Sequence, residues 1–199
     1  MKKLVVILDN GHGKDTKGKC SPDGRLKEWD WTRDVIQDLH VKLLTNGIDS
    51  VMLVPEEDDL PLDKRVAREK KISKEAKNAG KETLLLSVHI NASDKDGKWK
   101  TPNGWTGWVA KENASADSKK MAQLLYAEAE KLGLQGDRCV PSTKYWSKDY
   151  TILCKTSCPA VLTENLFQDN KEDVEYLLSE KGKREIVELH YNAIKRYIG

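Results

Sequence analysis

The chain predicts an α/β domain in which helices flank a mostly parallel sheet. Short β-branched runs alternate with helical patterns along the sequence, which is how βα units read. At 199 residues and 38% hydrophobic content, the chain is long enough to bury one core. No internal repeat, low-complexity tract or Pro/Ser-rich linker divides it, so residues 1–199 are expected to form a single domain.

The elements follow in order. Leu4-Val5-Val6-Ile7-Leu8 is the first strand candidate. With Met1-Lys2-Lys3 before it, the run imitates the start of a signal peptide, but a secretory apolar region needs about 7–15 residues. This one stops at Asp9-Asn10-Gly11-His12 with no small-residue cleavage site, so a buried strand is expected, in a protein made and folded in the cytoplasm. A helix is expected over 31–46, with Asp30 as N-cap, Val35, Leu39 and Leu43 on one stripe, and Gly47 ending it. Strand 50–54 and helix 62–78 follow, the latter rich in Lys and Arg on its outer face. Strands 83–90 and 105–110 precede a helix over 115–132, with Met121, Leu124, Leu125 and Leu132 inward and Gly133 as terminator. Strands 151–154 and 160–163 lead to helical segments over 171–179 and 182–197. Asn170 opens the first of these, with Asp173 three residues on, much like a capping box.

Charge and cysteine content exclude several classes. Lys plus Arg number 34 against 32 Asp plus Glu, a net +2 that does not suit a nucleic-acid binder held by a basic stripe. No apolar run approaches the ~18–20 residues needed to cross a bilayer. Cys20, Cys139, Cys154 and Cys158 are scattered over a chain too long to depend on disulfides, and free thiols are expected. Cys154 and Cys158 lack the C-x-x-C spacing of a zinc knuckle.

Three groups stand out by position. The first strand runs into Asp9-Asn10-Gly11-His12-Gly13, strand 83–90 carries Ser87-Val88-His89-Ile90-Asn91 at its end, and strand 160–163 is followed by Glu164-Asn165. Ligands of open α/β sheets bind at the carboxyl ends of the strands. Two imidazoles and a carboxylate are therefore expected on one rim. Neutral imidazoles with a carboxylate suit zinc, three protein ligands leaving a fourth position open. The third ligand is either Glu28, in Gly24-Arg25-Leu26-Lys27-Glu28-Trp29-Asp30-Trp31, or Glu164, and spacing does not choose between them. Gly11 and Gly13 are expected to let the backbone turn tightly enough to aim His12. Asp9 is a candidate partner for a ligating imidazole.

These segments resemble the zinc-dependent N-acetylmuramoyl-L-alanine amidases, which cleave peptidoglycan. The resemblance rests on Leu8-Asp9-Asn10-Gly11-His12-Gly13, Glu28, Ser87-Val88-His89-Ile90-Asn91-Ala92, and Pro159-Ala160-Val161-Leu162-Thr163-Glu164 with Asn170 downstream, in the family's order. It implies that residues 1–199 are one catalytic amidase domain with a six-stranded sheet. It also implies that His12, Glu28 and His89 bind zinc, that Glu164 is the catalytic carboxylate, and that Arg65 matches a family arginine. Asp9, Asn91 and Arg65 are candidates for contact with substrate or with the ligands. The chain departs from the family pattern in several places. Asn10 stands where proline is usual, and Lys14 where a further glycine is common. Asn165-Leu166-Phe167 replaces small-Gly-Phe, and Ala67-Arg68 replaces Ala-Asn.

The implied reaction is hydrolysis of the amide between N-acetylmuramic acid and L-alanine. The expected partner is peptidoglycan, with no nucleic acid, no membrane insertion and a monomeric enzyme. Without a visible signal peptide or wall-binding module, the chain reads as a phage or prophage endolysin made in the cytoplasm and acting on the wall after release. A zinc peptidase acting on free peptides and a catalytically silent wall-binding module are the rival readings. His190, on the stripe Ile186, His190, Ile194, and His40 are expected to be packed, hydrogen-bonded histidines. Of Trp99, Trp105 and Trp108, at least one of the last two is expected in the core.

Overall fold

A computed structural model of the chain describes residues 3–137 and 139–199. Its elements, in order, are β1 (Leu4–Asn10), α1 (Glu28–Thr45), β2 (Asp49–Met52), α2 (Leu62–Asn78), β3 (Glu82–Asn91), β4 (Thr106–Val109), α3 (Ala116–Lys131), β5 (Trp146–Ser147), α4 (Thr151–Cys154), β6 (Ala160–Phe167), α5 (Lys171–Leu178) and α6 (Glu180–Ile198). The six strands form one sheet in the order β2-β1-β3-β6-β4-β5. β1, β2, β3 and β6 run parallel, whereas β4 is antiparallel to β6 and parallel to β5. The α/β class, the mostly parallel six-stranded sheet and its helical flanks are as the sequence predicts.

Strand periodicity divides the core into two unequal layers. Successive strand side chains point to opposite faces. Val6, Leu8, Leu84, Leu86, Val88 and Val161 therefore face a large cluster with the apolar stripes of α1, α3, α5 and α6. Ile7, Leu85, Ala160 and Leu162 face a smaller cluster covered by α2 and α4, through Val66, Ile152 and Leu153. Asp9, Ser87 and His89, and Glu164 on β6, have the parity of this thinner side.

Several boundaries differ from expectation. Residues 151–154 are not a strand but the one-turn helix α4. A short apolar run does not reveal its period; here adjacent Ile152 and Leu153 are both buried on one side, which a helical turn allows and a strand does not. The strand that completes the sheet is instead β5, whose two residues pair with Trp108 and Val109 and are too few to carry a pattern. Helix α1 starts at Glu28, before Asp30, so Asp30 lies in the first turn and is not the N-cap. The start is set by tertiary contact: Cys20 bridges Lys27 and the Glu28 amide donates to Lys19 O at 2.9 Å. Elsewhere the caps follow the sequence. Asn170 accepts from the Asp173 amide to open α5, and Ser115 accepts from Ser118 to open α3. β6 also continues beyond residue 163, carrying Glu164 inside the strand. The four cysteines are free thiols.

Candidate active site

The loop leaving β1 is held in place before its side chains are aimed. Gly11 N donates to Val88 O at 2.9 Å, Thr32 Oγ1 of α1 donates to Gly11 O, and Arg33 Nη1 donates to His12 O at 3.0 Å. His12 itself adopts φ +59°, the left-handed region that a side chain seldom occupies. Gly11 and Gly13 do not supply that turn; the structure needs them for close approach. A Cβ at Gly11 would lie 2.6 Å from His89 Nδ1, and one at Gly13 would lie 2.0 Å from the Asp59 amide nitrogen.

Three chain segments then meet. His89 comes from the end of β3, Glu28 from the first turn of α1, and His12 from the loop after β1. The imidazole rings of His12 and His89 stand perpendicular with centroids 5.2 Å apart. Glu28 is fully buried; its Oε1 accepts from the Ile90 amide at 3.0 Å and lies 3.1 Å from His89 Nδ1. Its Oε2 lies 3.7 Å from His12 Nε2 and 3.6 Å from Lys19 Nζ, yet is buried with no hydrogen-bond partner among the described residues. A buried carboxylate oxygen without a partner is costly, and a cation between it and the two imidazoles removes that cost. Ligand atoms of His12, Glu28 and His89 all lie within 4.8 Å of one another, so this group could hold a metal ion. The residues fit the His/Glu/His donor set of a catalytic zinc site.

The electrostatics agree with that use. Burial pushes His12 down to about 4, partly opposed by Glu28, so the ring is neutral and free to ligate. Burial alone would raise Glu28, but the hydrogen bond and charge of His89, with His12 and Lys19, hold it at about 2. Burial is the largest single influence on His89 and lowers it, but the hydrogen bond and charge of Glu28, with the charges of Glu164 and Asp9, together outweigh it and raise it. Such a ring must shed its proton to bind a metal.

Glu164 stands beside this group without joining it. It is the register partner of His89 across β3 and β6, and both residues line the same cleft of about 920 Å³. Its Oε2 is likewise buried without a hydrogen-bond partner among the described residues. Burial pushes its carboxyl up to about 7, with the His89 charge pulling down and the Glu28 charge pushing up. Of the two carboxylates between which spacing did not choose, Glu28 is the one whose oxygens lie near both imidazoles.

The remaining candidates sort differently. Asp9 is not placed as a partner for an imidazole. Its Oδ1 accepts from Arg65 Nη1 at 2.6 Å and its Oδ2 from Ser87 Oγ at 2.6 Å. Arg65 is buried and also donates to Asn10 O, Leu60 O and Asp59, so it ties the β1 loop to α2 instead of reaching the cleft. Asn91 does line the cleft, its Oδ1 accepting from the Ala92 amide. None of the tryptophans lines it; Trp105 is core, donating from Nε1 to Asn165 Oδ1. His190 is packed as expected, between Ile186 O and Thr163 Oγ1, and His40 meets Ser50 Oγ. Lys19, Lys148 and Gln168 also line the cleft, with no signal in the sequence to mark them. Each sits in a loop or at a strand end, where no period marks a side chain as inward.

Comparison with known proteins gives the same direction. Residues 6–196 match the N-acetylmuramoyl-L-alanine amidase family. The endolysin of Bacillus phage SPP1 is 29% identical over 194 residues, covering 98% of this chain and 65% of that protein, so the chain spans about two thirds of its relative's length. Among solved structures, an N-acetylmuramoyl-L-alanine amidase from Clostridium difficile 630 superposes with TM-score 0.80 at 21% identity, covering 99% of this chain and 97% of the other. The amidase Ami1 from Mycobacterium smegmatis superposes with TM-score 0.82 at 16% identity, covering 100% and 98%. With the family matched across nearly its whole length, the chain belongs to the N-acetylmuramoyl-L-alanine amidases.

Proposed function

We propose that the protein is a zinc-dependent amidase that hydrolyses the bond between the lactyl group of N-acetylmuramic acid and L-alanine in peptidoglycan, in the manner of an endolysin. The observation that carries this is the pair of buried carboxylate oxygens that accept no hydrogen bond among the described residues, Glu28 Oε2 within the His12–His89 group and Glu164 Oε2 beside it. His12, Glu28 and His89 would hold the metal. When bound, zinc supplies Lewis acidity, polarising a carbonyl and lowering the pKa of water from 15.7 to about 7.

The chain's own residues do the rest. Glu164 Oε2 takes a proton from the water that attacks the lactyl carbonyl carbon, and returns it to the L-alanine nitrogen as the C–N bond breaks. A carboxyl near 7 can both accept and release a proton at neutral pH. Burial that excludes bulk water strengthens this proton exchange. Asn91, on the cleft wall, would meet the substrate. The reading includes a catalytic domain that acts as a monomer and reaches the wall after release. Among the described residues no helix is long and apolar enough to cross a membrane.

The test is amine release from purified peptidoglycan, with chelator and zinc add-back, beside Glu164→Ala. New L-alanine amino groups that vanish with chelator and return with zinc are expected. Glu164→Ala should keep zinc and lose activity by a factor of at least about 10²–10⁴. Zinc loss in Glu164→Ala equal to that in His89→Ala would overturn the division of roles. Turnover of free tetrapeptide in preference to muramyl peptide would make the protein a peptidase.

A further inference from the structure

The cleft carries more positive charge than the hydrolysis requires. Lys17 and Lys19 from the loop after β1, Lys95 from the segment after β3 and Lys148 just beyond β5 all line it. Among the described residues, the acidic side chains on its walls are Asp94 and Glu164, with Glu28 behind Lys19. Asp94 is taken up by Lys100, whose Nζ lies 3.3 Å from its Oδ2. Lys19 is partly engaged by Glu28 at 3.6 Å. Lys17 and Lys95 are exposed and make no ion pair among the described residues, while Lys148 Nζ lies 4.9 Å over the Tyr150 ring. A chain of net charge +2 thus lines one cleft with four lysines drawn from three separate segments.

This charge does not suit the glycan. N-acetylated sugars are uncharged apart from the lactyl group, which is itself the acyl half of the scissile amide, and proteins commonly stack sugar rings on tryptophan. No tryptophan lines this cleft. The stem peptide, in contrast, carries a free carboxylate on the residue after L-alanine, unless that carboxylate is amidated. Clefts lined by one sign of charge focus the field on ligands of the other.

We infer that Lys17, Lys95 and Lys148 form the stem-peptide subsite and select muramyl peptides whose second residue bears a free carboxylate over those in which it is a carboxamide. The inference rests on the amidase reading. Lys19, engaged with Glu28, adds to the field without being free to pair.

The test uses the whole chain with two synthetic substrates, muramyl-L-alanyl-γ-D-glutamyl-L-lysine and its D-isoglutamine counterpart, in which the γ-carboxyl is taken up by the peptide bond to lysine and only the α-carboxyl differs. At low salt, kcat/KM should favour the carboxylate by about tenfold, the order expected of two or three exposed ion pairs together. Raising the ionic strength should erode the preference. Lys17→Gln/Lys95→Gln/Lys148→Gln, checked for fold by circular dichroism, should bring the ratio to within about twofold of one. A control with the same charge loss on α2, Lys70→Gln/Lys74→Gln/Lys77→Gln, should leave the ratio as it is. Equal turnover of both peptides by the unaltered protein, or a preference that survives in the cleft variant, overturns the subsite while leaving the amidase reading standing. If neither peptide is hydrolysed, calorimetric binding of the same two peptides to the zinc-loaded protein decides. Tighter, salt-sensitive binding of the carboxylate form supports the subsite even though the amidase reading falls, and equal or absent binding of both overturns it.

Discussion

At the scale of single residues, the candidate site is built by crowding as much as by its donor set. His12 holds a left-handed backbone conformation that costs on the order of 1 kcal/mol. The hydrogen bonds from Thr32 and Arg33 to the carbonyls on either side of its amide offset that cost. The His89 ring packs against the bare Cα of Gly11, where an added Cβ would approach Nδ1 to 2.6 Å. Gly11→Ala must therefore move either the loop or the imidazole. The expected result is a folded protein whose zinc affinity falls roughly 10–100-fold, the range seen when groups orienting a ligating imidazole are disturbed. Competition with a chromophoric chelator measures it, and unchanged affinity would show that the loop yields freely.

At the scale of elements, β6 does the most. Its register with β3 slips between His89 and Asn91, and Leu166 takes φ +66° at the irregularity. That is the position where the resembled family usually has glycine. Asn165 knits the irregular stretch together, donating to His89 O and Thr163 Oγ1 and accepting from Trp105 Nε1. Thr163 in turn meets His190 Nε2, joining the strand to α6. Burial pushes His190 from 6.5 down to about 4, so the fold requires the neutral ring. A folded pKa below the unfolded one means that protonation favours unfolding. The contribution of His190 is complete above pH 6.5 and is lost as pH falls from 6.5 to about 4, on the order of 3 kcal/mol. Urea midpoints across that window should drop less steeply in His190→Gln than in the unaltered protein. Equal slopes would mean that other groups carry the acid sensitivity.

At the scale of the whole molecule, the two faces of the sheet are covered unequally. Four helices bury one side, while α2 and the single turn of α4 cover the other and leave the cleft open above His89 and Glu164. The thinner side adds a buried ion pair to its smaller apolar cluster. Arg65 on α2 meets Asp9 on β1 at 2.6 Å and also holds Asn10 O and Leu60 O. Removing one partner of a buried pair strands the other charge. Arg65→Met should cost about 3–5 kcal/mol in chemical denaturation. A loss under about 1 kcal/mol would mean that Asp9 finds water.

Much of this was legible in the sequence because it is local or periodic. The alternating runs set the α/β class, Asn170 and Ser115 marked real helix starts, and the placement of His12, His89 and Glu164 at strand ends pointed to one rim. The signals that failed were those without a period. The Thr151–Cys154 turn reads like a strand, the two residues of β5 are too few to read at all, and α1 begins at Glu28 because a neighbouring bridge holds it there. Sequence by itself determined which side chains could do the chemistry and which elements carry them. Tertiary structure alone decided that Glu28 lies between the imidazoles, that Asp9 belongs to Arg65, and that four scattered lysines share one cleft. Those outcomes depend on distances between residues far apart along the chain, and such distances are set by how the layers pack.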